Sequence, residues 1–146
     1  MKVDGSRLKV ENQTKVKLEL PDIAAKIKKL ELPDFDVVVG IATGGIVPAS
    51  LLAFHLNLPL EIIQINYRAE NNKPQRPEPE LLNDFELAGS RHILLVDDVS
   101  VTGQTFNKAK SYLGNHRVKT LALKGKANVI LYENLPSCIL LPWRDY

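Results

Sequence analysis

Hydrophobic and polar positions alternate along this chain with two different periods. Ile23, Ile27 and Leu30 recur at the spacing of one helix face, with Lys26, Lys28 and Lys29 on the wet side, and Asp22 behind Pro21 reads as the N-cap. Asp36 then leads into Val37-Val38-Val39-Gly40-Ile41-Ala42, a continuous, largely β-branched run of the kind buried on both faces of a parallel sheet. Thr43-Gly44-Gly45 interrupts it, and Ile46 to Asn57 reads as a helix that is apolar nearly all round, with Pro48 tolerated in its first turn. Leu60 to Tyr67 is the next strand. Arg91-His92 opens another, Ile93 to Val96, which ends on Asp97-Asp98. From about Thr105 to Leu113 a helix carries Phe106, Ala109 and Leu113 on one side and stops at Gly114, and Val118 to Leu123 is strand-like again. Strands alternating with helical patterns predict βαβ units on a parallel sheet, an α/β fold.

Two segments depart from this rhythm. Arg68 to Asp84 holds only Glu, Asn, Lys, Gln, Arg and three prolines between Ala69 and Leu81, so it is expected to contribute nothing to a core. Loops of that length in a compact domain are either functional lids or disordered. The tail from Val129 to Tyr146 mixes short apolar runs with Pro136 and Pro142, which predicts short strands or a cap over one end of the sheet.

Composition narrows the class. The 146 residues are 45% hydrophobic and 25% charged, with 8 Gly and 9 Pro, which disfavours disorder, collagen and coiled coil and predicts a single domain over 1–146. Charge is nearly balanced at +2, so a nucleic-acid footprint is not expected and the partner is expected to be small. Cys138 is the lone cysteine, which excludes a disulfide framework and a Cys-rich zinc site. Val37 to Phe54 runs 18 residues without a charge, but Gly40, Gly44, Gly45 and Pro48 punctuate it, and no membrane span is expected. The start, Met-Lys-Val-Asp-Gly-Ser, lacks the apolar stretch of a signal peptide, so a cytoplasmic location is the expectation.

Chemistry concentrates in Ile93-Leu94-Leu95-Val96-Asp97-Asp98-Val99-Ser100-Val101-Thr102-Gly103-Gln104-Thr105. A buried strand presents two carboxylates at its carboxyl end, and a hydroxyl-bearing glycine turn opens the following helix. Ligands of open α/β sheets bind at that end, and a helix N-terminus offers free N–H groups to phosphate. Carboxylates repel phosphate; they suit the hydroxyls of a sugar diol or a hydrated magnesium ion. The combination describes a sugar-phosphate site, with the phosphate toward Thr102 to Thr105 and the diol toward Asp97 and Asp98. A pair of aspartates alone would do no more than end a strand.

The complete string resembles the phosphoribosyl-pyrophosphate (PRPP) signature of type I phosphoribosyltransferases: four apolar residues, two acids, a short apolar-rich stretch and Thr-Gly-x-Thr. Val37 to Ala49, with its Thr43-Gly44-Gly45 turn one βαβ unit earlier, resembles the family's pyrophosphate loop. The resemblance covers Asp36 to Leu123 well and the tail more loosely, and is nearest to compact xanthine-guanine and hypoxanthine-like purine enzymes. It implies a Rossmann-like parallel-sheet fold with a small hood from the two termini, the acceptor-base part lying at about 124–146. It also implies magnesium-dependent transfer of ribose 5-phosphate from PRPP to a nucleobase, with a purine favoured, and release of pyrophosphate.

Carried onto this chain, Asp97 and Asp98 become the catalytic pair and the magnesium ligands, through water or PRPP. Ser100, Val101, Thr102, Gly103, Gln104 and Thr105 hold the 5′-phosphate, and Thr43, Gly44 and Gly45 the pyrophosphate. Residues 68–84 become a closing loop with Tyr67 and Arg68 at its root. Lys124, with Lys126 as the near alternative, falls where 6-oxopurine enzymes place a lysine at purine O6. Cys138 and Ile139 fall in the base pocket, and Trp143 in a structural position. The partners implied are PRPP and a nucleobase or nucleoside monophosphate, and family members are often homo-oligomers such as dimers.

Three residues depart from the pattern. Thr43 replaces a basic residue, Val101 stands where 6-oxopurine enzymes have an aspartate that handles the N7 proton, and Cys138 stands where a tryptophan stacks on the base. The sugar-phosphate half thus reads as intact and the base half as altered. That leaves a second expectation, a PRPP- or nucleotide-binding regulatory module without transferase chemistry. A receiver-like phosphate binder is a third, disfavoured by the Thr-Gly-x-Thr after the acids.

Overall fold

The computed structural model describes residues 6–10, 13–66, 80–81, 85–135 and 138–144. Two antiparallel strands, β1 (Ser6–Val10) and β2 (Gln13–Lys17), precede α1 (Leu20–Lys28); β3 (Val37–Ala42), α2 (Ile46–Leu56) and β4 (Leu60–Asn66) follow. After the short β5 (Glu80–Leu81) come β6 (His92–Ser100), α3 (Gln104–Leu113), β7 (Arg117–Gly125), β8 (Val129–Ile130) and β9 (Cys138–Leu140). The main sheet has the order β5-β4-β3-β6-β7-β8. Its five strands from β4 to β8 run parallel, and β5 is antiparallel to β4 through Ile65↔Leu81 and Asn66↔Glu80.

This sheet separates two apolar layers, because successive residues of a strand face opposite sides. Val38, Leu94, Val96, Leu121 and Leu123 pack with Ile23 and Ile27 of α1 and with Ala49, Leu52 and Ala53 of α2. Val37, Val39, Ile41, Ile93 and Leu95 pack with Phe106, Ala109 and Leu113 of α3. The helices after β3 and β6 therefore cover opposite faces. β3 connects to β4 on one side while β6 lies on its other, so the strand order reverses between β3 and β6. Reversal points of this kind leave a crevice beyond the strand ends.

A second sheet of order β1-β2-β9 is built from both termini, β9 running parallel to β2 with Val16 opposite Ile139. Val16, Leu18 and Leu141 join the layer formed with α1 and α2, and Ile139 and Trp143 pack against it. This is the expected hood. Its N-terminal hairpin is not among the elements expected above, although Arg7-Leu8-Lys9-Val10 and Lys15-Val16-Lys17-Leu18 alternate with the period of a strand.

Three expectations need correcting. Asp22 is not the N-cap; the helix starts at Leu20 with Glu19 as its cap and Pro21 in its first turn, where Asp22 still complements the helix dipole. Residues 68–84 are not wholly outside the core, since Leu81 is half-buried against the α3-side layer. Apart from Glu80, which pairs with Asn66 in β5, the other positions of this segment lie outside the described residues. The β6 strand does not end at Asp97-Asp98 but runs on to Ser100, because β7 continues beside it as far as Ser100↔Gly125. Among the described residues no helix is long and apolar enough to cross a membrane.

Candidate functional site

The crevice between β3 and β6 is where the two loops singled out in the sequence meet. Pairing of β3 with β6 stops at Gly40↔Val96, while each strand continues along its other neighbour, β3 to Ala42↔Gln64 and β6 to Ser100↔Gly125. Past Val96 the sheet splits. The Thr43-Gly44-Gly45 turn folds into the split after a cis peptide between Ala42 and Thr43. Gly45 lies so close to Ile41 and Val96 that a Cβ there would stand 2.7 Å from the Ile41 carbonyl oxygen. Gly44 lies against the Asp98 carboxyl group, where a Cβ would stand 2.5 Å from its Cγ. Any side chain at either position would prise the turn away from β6.

The two aspartates share a strand but not a face. Asp97 alternates with Ile93 and Leu95, toward α3, and Asp98 with Leu94 and Val96, toward α2 and the hood. The Asp98 side chain is only 5% exposed, and its oxygens are engaged. Oδ1 accepts the Val99 N–H at 2.7 Å, and Oδ2 accepts the Arg144 guanidinium through Nη2 at 2.8 Å and Nε at 3.2 Å. Asp97 is half-buried, and its Oδ1 accepts the Asp98 N–H at 2.8 Å. Burial, followed by the neighbouring Asp98 carboxylate, holds the Asp97 carboxyl well above the usual carboxylate range.

Beyond Ser100 the chain turns over Val101, Thr102 and Gly103 into α3. Gly103, with φ of 85°, caps the helix in the left-handed region that glycine enters without a steric cost. Thr102 Oγ1 accepts the Gln104 N–H at 3.2 Å. Val101 is 64% exposed and Thr102 and Gln104 are exposed, so this turn opens to solvent at a helix N-terminus whose first N–H groups lack partners in the helix. Two glycine-containing turns, each opening a helix, thus flank a carboxylate pair at the reversal point of a parallel sheet.

Comparison with known proteins accounts for this arrangement. The family model for the phosphoribosyl transferase domain matches residues 7–127. The chain belongs to the phosphoribosyltransferase family. It is 30% identical over 111 residues to a protein of Methanothrix thermoacetophila named transcriptional regulator GfcR, covering 74% of this chain and 54% of that protein. It is 32% identical over 96 residues to an orotate phosphoribosyltransferase of Sulfurisphaera tokodaii, covering 66% of this chain and 45% of that protein. The chain thus spans about half the length of these curated relatives. Among solved structures, a purine phosphoribosyltransferase from Pyrococcus horikoshii superposes with a TM-score of 0.68 at 22% identity, covering 90% of this chain and 95% of that one. A Neisseria gonorrhoeae protein with bound ppGpp superposes with a TM-score of 0.58 at 22% identity, covering 86% and 80%.

Within this phosphoribosyltransferase domain, the residues singled out from sequence are only partly brought together. Asp97, Asp98, Gly44, Gly45 and the turn from Val101 to Thr105 surround the crevice. Ser100 is buried inside β6, and its carbonyl accepts the Lys126 N–H at 2.7 Å, so the open part of the turn begins at Val101. The Gly45 N–H donates to the Ile41 carbonyl at 2.7 Å and the Ile46 N–H to Thr43 at 3.1 Å, so neither donor remains for a ligand. Lys124 is half-buried opposite Val99, and Lys126 is exposed just beyond β7. Cys138 and Ile139 stand on β9 beside Lys15 and Val16, half-buried. Tyr67 and Arg68 lie outside the described residues.

His116 accepts the Arg91 N–H on Nδ1 at 2.9 Å. Sequence reasoning missed Arg144. Its only signal was its position one residue after Trp143, and nothing in a linear reading links it to Asp98, 46 positions away.

Proposed function

We propose that the crevice binds PRPP and that the protein transfers its ribose 5-phosphate to a nucleobase nitrogen. The reading rests above all on the convergence of the Gly44 turn and the Val101–Thr105 turn on Asp97-Asp98 at the sheet's reversal point. The 5′-phosphate would sit on the N-terminus of α3 against Thr102 and Thr105, and the pyrophosphate beside Thr43 and Gly44. The ribose hydroxyls would donate to the aspartates. In the reaction the bond from ribose C1 to pyrophosphate breaks while a bond from the base nitrogen to C1 forms with inversion, and the proton displaced from the base leaves to solvent. This chain's contribution is positioning and electrostatic stabilisation.

Magnesium is implied by the family. Among the described residues no group of three or more His, Cys, Asp or Glu could cage an ion, and the oxygens of Asp98 are engaged. A half-buried carboxylate, Asp97, suits an ion that arrives on the ligand's phosphates and keeps most of its water. When bound, such an ion would offset charge on the departing pyrophosphate.

One observation favours a second reading, a PRPP- or nucleotide-responsive regulatory module: Arg144 covers Asp98 in a site that also lacks a basic residue at Thr43, an acid at Val101 and a stacking aromatic at Cys138. Some relatives carrying this domain are named transcriptional regulators. The base is open as well, because orotate enzymes stand among the relatives beside the purine enzymes of similar fold. A cytoplasmic location and a homodimer belong to the same proposal. The experiment is pyrophosphate release on mixing the protein with PRPP, magnesium and a panel of orotate, uracil, adenine, hypoxanthine, guanine and xanthine. Release with one of them supports transfer. PRPP binding without release from any of them overturns it in favour of the regulatory module.

A further inference from the structure

Arg144 stands on the C-terminal segment, directly after Trp143, and reaches back to the middle of the sheet. Its Nη2 and Nε both donate to one oxygen of Asp98, the acid that also abuts Gly44. The Asp98 side chain is nearly sealed at 5% exposure while the Arg144 side chain is 48% exposed. A ligand hydroxyl cannot reach Asp98 while this pair is closed. The pair can open from the arginine side at modest cost, because a half-exposed guanidinium recovers water when it leaves. The carboxylate it leaves needs a replacement donor, since an uncompensated buried charge is costly. A sugar diol, each hydroxyl donating one hydrogen bond, meets that need.

The segment that carries Arg144 is tied to the hood. The Arg144 N–H donates to the Leu141 carbonyl at 3.2 Å, Leu140 accepts the Leu18 N–H at 2.9 Å, and β9 pairs with β2. Trp143 lies half-buried against the same layer, and its Nε1 is buried with no partner among the described residues. Among the described residues, packing against this layer is what the indole has in place of a hydrogen bond.

We propose that Arg144 is an internal competitor for Asp98: a sugar-phosphate diol displaces it, and its release loosens residues 141–144 and signals occupancy to the three-stranded sheet of the hood. This rests on the reading of the crevice as a PRPP site and supplies what both readings there need. For a transferase it orders the C-terminal segment against the site only until substrate arrives; for a regulator it converts binding into movement of a surface segment.

The chain has one tryptophan, so Trp143 emission reports the segment directly. Wild type, Arg144→Gln and Arg144→Lys are titrated with PRPP and magnesium, following emission and calorimetric Kd. If the closed pair dominates, with the open state at about a tenth of molecules or fewer, Arg144→Gln binds about tenfold tighter or more. Arg144→Lys, which keeps a charge but not the two-donor grip, falls between. Wild-type emission shifts to the red on binding, toward the value Arg144→Gln shows without ligand. Equal affinities with unmoved wild-type emission overturn the exchange and leave PRPP binding standing. Weaker binding by Arg144→Gln also overturns it, since Arg144 would then serve the ligand. No PRPP binding by any of the three overturns the site assignment itself, and the exchange with it.

Discussion

Replacing Gly44 with alanine tests the geometry of the crevice without presuming a ligand. The added Cβ would stand 2.5 Å from Asp98 Cγ and 2.7 Å from Oδ1, distances at which something must move. Asp98 is poorly placed to yield, because one oxygen holds the Val99 N–H and the other holds Arg144. Relieving an overpacked contact costs about 1–3 kcal/mol, and weakening an ion pair that is exposed on its arginine side adds ~1 kcal/mol. A total of about 2–4 kcal/mol corresponds to a fall in Tm of about 6–12 °C for a domain of this size. Gly89→Ala is the control: nothing lies within 4 Å of its Cβ, and with φ of 73° it carries only conformational strain, ~1 kcal/mol. Thermal and urea unfolding of both variants give the comparison. In an Asp98→Ala background, which removes the obstructing oxygens, Gly44→Ala should lose most of its effect, a coupling of about 1 kcal/mol or more. Additive costs, or a Gly44→Ala no worse than Gly89→Ala, would show that the turn does not rest on Asp98.

Other consequences follow from individual groups. Asp97→Asn removes a carboxyl whose burial and negative neighbour oppose ionisation, so it should leave stability at neutral pH unchanged or raise it by about 1 kcal/mol, while weakening PRPP binding in calorimetry. A fall in Tm with unchanged affinity would contradict the role given to it. Burial, helped by Asp22, pushes the Tyr132 hydroxyl up to about 12, so its contribution is intact below the unfolded value near 10 and is lost between about pH 10 and 12. The gap would be worth ~2.7 kcal/mol at a sealed site, and solvent screening around this half-buried ring leaves ~1 kcal/mol. Tyr132→Phe should therefore lose that much less stability than wild type over this range in urea unfolding. Thr120 Oγ1 accepts the Asn128 N–H at 2.9 Å and bonds Asn128 Oδ1 at 3.1 Å. Thr120→Val should cost about 1–2 kcal/mol in the same assay, and a neutral result would mean that water replaces both bonds.

What the sequence made legible follows from the range of the interactions involved. β3, α2, β6, α3 and β7 each carry their own periodicity, and the residues that end them, such as Gly114 after α3, act locally. The two loops were readable for the same reason, since a glycine turn opening a helix is a contiguous device. The hood was half legible: the tail's short strands were expected, but β2 pairs with β9 across more than a hundred positions, and the N-terminal hairpin shows only two short alternations, Arg7 to Val10 and Lys15 to Leu18. The acid pair shows where local reading fails. Two adjacent aspartates look equivalent in sequence, yet the period of the strand sends them to opposite faces, one half-buried toward α3, the other under Arg144. That difference depends on a residue 46 positions away, so no local pattern could encode it. It also changes what the motif means. On the proposed reading, a signature with two ligand-facing carboxylates would supply one at once, and the second only after its arginine is exchanged for a ligand's hydroxyls; the affinity of the site would then be set as much by the C-terminal segment as by the motif.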